Sequence, residues 1–356
     1  MNITAIIPAH DEAGVIARTI SNLRAATPPP ESIIVIADGC TDSTAQVAAQ
    51  SGAMVFQCNE GSKGGALKWL FAQDLADLKD PRGLDVIFDA DSIVSPNFFA
   101  EVRHAFKGGA QATQGFVSPV IPTPSIAEIA SQITLAMTVP ALAAYSEVLS
   151  QVFDDEVRSR LGWGVPLRGT GMAFRTELLR ELLPHVHTRT EDIELSLLLA
   201  QRGVRVKFLS KAVVYDPKPP DAARVSRQRA RWLQGQAQVW RSYWRVASLL
   251  LLRGPEMWWL LSALLLKPKT LFVFLKALIV LCAIVLPMVW WLKILLSAWL
   301  MMDVVYYVVG LSLVPSSDRV RYTRAMFIAP LYLWIWIKSL MLALRSRAQW
   351  LSVRHE

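Results

Sequence analysis

The sequence predicts an α/β domain, built on a mostly parallel sheet with flanking helices and continued by helices that lie against or cross a membrane. Three observations carry that prediction. Short apolar runs alternate with amphipathic stretches along residues 3–89, the pattern of successive βαβ units. Several of these runs stop abruptly at acids, most clearly in Leu84–Ser92, which ends in Asp89 and Asp91. Charge is laid out in blocks, net −9 over residues 1–200, +10 over 201–254 and +7 over 255–356, for +8 in all.

Taken in order, Ile3–Pro8 reads as a strand, Asp11–Ala26 as a helix, Ile33–Asp38 as a strand and Thr41–Gln50 as a helix. Ala53–Gln57 follows as a strand, Lys63–Leu78 as a helix and Asp85–Asp89 as the next strand. Parallel strands place ligands at their carboxyl ends, so His10-Asp11-Glu12, Asp38-Gly39 and Asp89-Ala90-Asp91 should share one rim. Gathering acids there is costly unless a cation or the donors of a ligand offset their repulsion. Two carboxylates at i and i+2 suit a hard divalent ion, Mg²⁺ or Mn²⁺, that keeps open positions for diphosphate oxygens; the plainer reading is an acidic turn. Asp38–Thr41 could equally be a turn with Thr41 as helix cap. In Asn59–Gly65 a lysine, Lys63, stands among glycines just before a helix and can face phosphate. Its spacing is not that of a P-loop.

The chain has 356 residues, 53% of them apolar, 13 tryptophans and a mean hydropathy of +0.33, high for a soluble enzyme. Cys40, Cys58 and Cys282 show no spacing for zinc or a disulfide framework. No secretory h-region opens the sequence, so the head is expected to stay cytoplasmic. The basic collar leads directly into apolar segments rather than following a nucleic-acid module, which favours an anionic membrane surface over nucleic acid as its partner.

The order Pro8–Glu12, Asp38–Asp42, Gly61–Leu67 and Asp89–Asp91 resembles the nucleotide-sugar half of family 2 glycosyltransferases, which have the Rossmann-like GT-A fold. Downstream, Gly169-Thr170-Gly171, Thr190-Glu191-Asp192 and Gln228-Arg229-Ala230-Arg231-Trp232 resemble the acceptor glycine segment, the acidic catalytic motif and the Q-x-x-R-W motif of the membrane-bound branch that includes cellulose, chitin and hyaluronan synthases. His10-Asp11 stands where the family often has Tyr-Asn. The resemblance implies a donor site of Pro8, His10, Glu12, Asp38, Lys63, Asp89, Ala90, Gln228 and Arg231. It implies metal at Asp91 and Asp89, acceptor contacts from Gly169, Thr170, Gly171 and Trp232, and Asp192 as general base beside Glu191. Plainer readings stand beside these: Thr190 as a cap with acids in a first helical turn, and Gln228–Trp232 as an interfacial helix. Arg231 suits bidentate diphosphate contact in either case.

Ser125–Phe153, apolar with Pro140 inside it, reads as paired helices near the acceptor entrance. In the tail, Leu271–Leu286 and Met288–Leu313 are apolar enough to span, the first marginal in length. Arginines flank Ala325–Leu344 on both sides, so a two-span hairpin (about 270–287 and 288–313) is expected, with Trp258–Leu266 and 325–344 lying in the interface; three spans are the alternative. Asp303 within the second span is either a satisfied interhelical group or a polar lining of a lipid-substrate groove. The expected organisation is a cytoplasmic domain over 1–232, with donor half 1–115 and acceptor half 116–232, and a membrane part over 233–356.

The function expected is inverting, metal-dependent transfer of a sugar, UDP-linked by the resemblance, to a lipid-linked or oligosaccharide acceptor at the inner or plasma membrane. Its setting is glycolipid or envelope-polysaccharide synthesis, with room for other proteins of that process as partners. A processive polysaccharide synthase is the near alternative, and an inactive nucleotide-sugar-sensing scaffold the alternative of another class.

Overall fold

The computed structural model describes residues 1–73, 80, 82–120, 135–218, 222–265, 269–314, 316–327 and 329–345. Eight strands form one sheet in the order β3-β2-β1-β4-β7-β6-β8-β5: β1 Ile3–Ala9, β2 Ser32–Asp38, β3 Met54–Cys58, β4 Leu84–Ile87, β5 Ile93–Val94, β6 Ala112–Val120, β7 Met172–Arg175 and β8 Val206–Pro217. The first four are parallel, with Ala9 opposite Ala37, Asp38 opposite Cys58 and Ile6 opposite Ile87, so their carboxyl ends form one rim. The other half is mixed. β7 runs antiparallel to both β4 and β6, while β6 and β8 are parallel. A turn through Gly169–Gly171, with Gly169 and Gly171 both at positive φ, leads into β7.

Side chains alternate across the sheet. Ile3, Ala5 and Ile7 enter a core layer with α1 (Ile16–Ala25) and α4 (Phe98–Lys107). Ile6 and Ile87 enter the opposite layer with α3 (Lys63–Phe71), α7 (Thr176–Leu182) and α8 (Glu191–Gln201). Two expected helices start late. Asp11–Val15 is a loop, with Asp11 at φ 55, and α2 covers Thr44–Gln50 because Asp42 binds the Thr44 N–H and hydroxyl in a local turn. α3 ends at Phe71; residues 74–78 of the expected Lys63–Leu78 helix lie outside the described residues.

Of the expected Ser125–Phe153 pair, residues 125–134 lie outside the described residues; α5 spans Leu135–Leu149, a π-helical turn spans Ser150–Asp155, and α6 is Glu156–Arg160. The remaining helices are α9 Ala222–Leu251, α10 Pro255–Leu265, α11 Lys269–Val285, α12 Trp290–Leu313, α13 Ser316–Phe327 and α14 Ala329–Arg345. Among the described residues α12 alone is long and apolar enough to cross a membrane; the apolar part of α11, Phe272–Val285, is shorter. The expected first span therefore falls short, cut off by the break around Pro287. The 325–344 segment is divided between α13 and α14, with residue 328 outside the described residues. Asp303 on α12 meets Lys276 of α11 at 2.6 Å, and that ammonium lies 4.4 Å from the Trp299 ring. This matches the plainer reading, a satisfied interhelical group. α12 also docks on α5: Gly310 approaches Leu149 so closely that a Cβ would lie 2.2 Å from it, and the Tyr145 hydroxyl donates to the Tyr307 carbonyl.

Candidate active site

The rim formed by the ends of β1, β2, β3 and β4 carries the predicted acids. Pro8 lies within β1, opposite Ile36. The His10 ring nitrogen Nδ1 lies 2.6 Å from the Asp38 carbonyl, tying the first two strand ends together. Asp38 is buried, and its carboxylate accepts the N–H groups of Glu60 (2.6 Å) and Gly61 (3.2 Å), which fixes the loop before α3. In that loop Ser62, not predicted, caps α3 by accepting from Gly65 N.

Lys63 is the centre of the arrangement. Its ammonium lies 2.5 Å from Asp89, 2.7 Å from the Gly169 carbonyl and 3.6 Å from Glu191. Burial alone would lower its pKa, but Asp89, Glu191 and Asp192 more than reverse that and raise it. Asp89 at the end of β4, the Gly169 carbonyl and the first turn of α8 are thus joined by one cation. Glu191 is buried, its pKa raised to about 7 by burial, with Lys63 opposing and Asp192 adding to the rise. Asp192, the next residue, is half-buried.

Thr170 braces the other side. Its hydroxyl takes the Asp89 N–H at 3.3 Å and lies 2.8 Å from the Ser92 hydroxyl, and its carbonyl accepts from Gln114 at 2.9 Å. Gly171, at φ +65, leaves no room for a side chain, since a Cβ would meet Val214 at 2.6 Å. Ala90 is buried and its carbonyl accepts the Thr19 hydroxyl at 2.7 Å, anchoring the turn between the two aspartates to α1.

Asp91 is buried, and burial followed by repulsion from Asp89 raises its pKa to about 6. Glu12 shares its field: burial, then Asp91 and Asp89, push its pKa to about 8, and its Oε2 is buried without a hydrogen-bond partner among the described residues. Hard oxygen donors that repel one another around an unsatisfied carboxylate fit a divalent cation such as Mg²⁺ or Mn²⁺. A tighter group of possible ligands, Asp11, Cys40 and Asp42, lies on the same rim. It fits a metal less well, because Asp11 already accepts Thr41 N and Oγ1 and Asp42 N, and burial keeps the Cys40 thiol protonated.

α9 brings in the third set. Gly235 allows it to approach α8, where a Cβ would lie 2.1 Å from Thr190 Cγ2. Arg231 is half-buried; burial lowers its pKa, while the charges of Asp89 and Glu191 oppose that fall. Gln228 is half-buried one turn earlier, and Trp232 is 44% exposed beside Arg231. The predicted Thr190 cap is not made through its side chain. The loop is held instead by Glu194, which sequence reasoning passed over. Its carboxylate accepts His187 N, Thr188 N and the Thr188 hydroxyl, and the Tyr243 hydroxyl of α9 at 2.6 Å. A further unpredicted group lies behind Asp91: Lys218 pairs with Asp216 and Glu147, each at 2.6 Å.

Chemically, one rim offers carboxylates for a cation, a lysine and an arginine for a diphosphate, and an acid pair at a helix start that can take a proton. These are the parts of an enzyme that transfers an activated group. Residues 1–235 match the family model described as "Glycosyltransferase like family 2", and the chain belongs to that family. It is 28% identical over 266 residues to the uncharacterized glycosyltransferase YaiP of Escherichia coli (strain K12), covering 68% of this chain and 59% of that protein. It is 36% identical over 91 residues to protein RfbJ of Shigella flexneri, covering 26% of this chain and 70% of RfbJ. Among solved structures it is similar to the mannosyltransferase PcManGT from Pyrobaculum calidifontis, in complex with GDP-Man and Mn²⁺, at 17% identity and TM-score 0.49 over 96% of this chain and 87% of that one.

Proposed function

We propose that the protein is an inverting, metal-dependent transferase that moves one sugar from a nucleotide sugar, UDP-linked by the family resemblance alone, to a lipid-linked or saccharide acceptor at the cytoplasmic face of a membrane. The observation that carries the reading is the convergence on Lys63, where Asp89, Gly169 and Glu191 meet one ammonium and Arg231 lies in the field of the same acids. In this reading Asp91 and Asp89 hold Mg²⁺ or Mn²⁺, which neutralises the departing diphosphate. Lys63, Gln228 and Arg231 bind the diphosphate, and Pro8, His10, Glu12 and Asp38 border the nucleoside. Asp192 removes the acceptor hydroxyl proton as that oxygen bonds to the anomeric carbon and the bond to the diphosphate breaks on the opposite face. Gly169–Gly171 and Trp232 border the acceptor.

The head over 1–232 is read as cytoplasmic and the part over 233–356 as membrane-associated, with α11 and α12 entering the bilayer as a hairpin joined by Lys276–Asp303, since the flanking α10 and α13 both pack back on the head. The exposed faces of α11 and α12, among them Leu278, Leu281, Leu295 and Met302, suit lipid contact better than the lining of a polar tunnel. Single-sugar transfer is therefore preferred to processive synthesis with export. The test is product analysis after incubating the full chain in lipid nanodiscs with a panel of UDP- and GDP-sugars, a lipid extract and Mn²⁺. Transfer that survives excess chelator, or donor turnover on no member of the panel, would overturn the reading.

A further inference from the structure

The second half of α9 has two unlike faces. One packs inward, with Val239, Ala247 and Leu250 against Ile193 and Leu197 of α8 and Leu260, Leu261 and Leu264 of α10. The other is aromatic and uncovered among the described residues: Trp240, whose indole N–H donates to the Leu265 carbonyl, Trp244 and Leu251 are 43%, 53% and 43% exposed, and their spacings of four and seven residues put them on one stripe. At the elbow into α10 the stripe continues through Leu252 and Trp258, 83% and 58% exposed. Exposed Arg241 and Arg245 run alongside, the second with its guanidinium 5.3 Å from the Trp244 ring centre.

We infer that this stripe docks on an anionic lipid surface. The inference rests on the membrane reading above and goes beyond it by assigning a second lipid contact outside the α11–α12 hairpin. Three features select this occupant. The whole of Ala222–Leu251 carries six arginines and no acid, a sign of charge that complements phosphatidylglycerol-type headgroups. Tryptophan flanked by arginine is the composition of an interfacial face, with the ring at headgroup level and the guanidinium reaching phosphate. The stripe also ends at the elbow from which α10 leads into α11 and α12, so the apolar surface continues toward the bilayer. Because α9 carries Arg231 and Trp232 toward its other end, the lipid contact would set the height of the donor site above the membrane.

Tryptophan fluorescence of the full chain in nanodiscs tests this, with brominated phosphatidylcholine or brominated phosphatidylglycerol as quencher. The contribution of Trp240 and Trp244 is the difference between the native chain and the exposed-site variant Trp240→Phe/Trp244→Phe. That difference should be quenched, and more strongly by the brominated phosphatidylglycerol. Arg241→Gln/Arg245→Gln, or high salt, should reduce the preference for the anionic lipid, by about five-fold per arginine at most. Equal quenching by both lipids, or a preference indifferent to both arginines, overturns the assignment to anionic lipid. If the remaining tryptophans, which include Trp290, Trp291 and Trp299 of α12, are quenched while the difference signal is not, the membrane reading stands and the docking surface is refuted. An unquenched difference accompanied by a dimer mass in detergent would give the stripe to a second copy of the chain. If no tryptophan is quenched, the membrane reading itself fails and takes this inference with it.

Discussion

The acid pair at the start of α8 divides into two environments. Glu191 is buried against Lys63, whereas Asp192 is half-buried, so the second is the better placed to meet an acceptor and the first to hold the lysine. Asp192→Asn should bind UDP with Mn²⁺ nearly normally by calorimetry yet lose about 10²–10⁴-fold in transfer rate, as expected for a missing general base. If Glu191→Gln were dead and Asp192→Asn nearly native, the base would be Glu191. Thr170 supports a subtler expectation. Its hydroxyl engages Asp89 N and Ser92, so Thr170→Val should cost ~1 kcal/mol of stability and weaken Mn²⁺ binding, read by electron paramagnetic resonance. Unchanged Mn²⁺ affinity would show that the brace does not reach the metal site. Among these residues Lys63, Asp89 and Glu191 were legible in the sequence because charge in a short motif is conspicuous. Glu194 was not, because a third acid in the same turn looks like more of the same; only its hydrogen bonds to residues 187–188 and Tyr243 tell it apart.

At the scale of elements, the contact between α9 and α8 decides whether Arg231 reaches the acids. It depends on Gly235, where any Cβ would collide with Thr190. Gly235→Ala should therefore separate the two helices, at a cost of about 1–3 kcal/mol for overpacking, and raise the donor KM more than it lowers kcat. Restoration of the KM by the double variant Gly235→Ala/Thr190→Ser, which removes the offending methyl, would tie the effect to this contact; no KM change in Gly235→Ala would detach Arg231 from donor binding. The sequence made the parallel half readable, since βαβ units leave a periodic trace and their strand ends carry the acids. The mixed half was opaque, because β7 is four residues long and antiparallel to β4, a course that its own short pattern does not encode. The π-helical turn was equally hidden. It turns Asp155 inward to pair with buried Arg168, next to Gly169–Gly171, and Asp154 toward Tyr306 of α12 at 3.3 Å, an arrangement that only long-range packing specifies.

For the molecule as a whole, the rim acids are held under strain that the sheet and helices sustain. Glu12, Asp91 and Asp216 have pKa values raised to about 8, about 6 and about 6, from ordinary values of 4.5, 3.8 and 3.8, with burial the leading cause for each. A raised carboxyl pKa means that the folded chain binds more protons than the unfolded one between the two values, so stability falls as pH rises through that window. Lys63 and Lys218 are raised instead from 10.5. Their contribution is complete below that value and is lost only above it, outside the window. Without added metal, the melting temperature in detergent should therefore decrease from about pH 5.5 to about pH 8. A divalent cation that needs these carboxylates ionised competes with protons, so Mn²⁺ should stabilise little at the lower pH and strongly at the higher, approaching ~2.7 kcal/mol at a hundredfold excess over Kd. Asp91→Asn should lose most of the Mn²⁺ response while melting higher than the native chain at the alkaline end, because it removes a buried charge. Differential scanning fluorimetry at both pH values, with Mn²⁺ and with chelator, measures all four quantities. An Mn²⁺ shift of equal size at both pH values, or one that survives Asp91→Asn, would place the cation away from the strand-end acids.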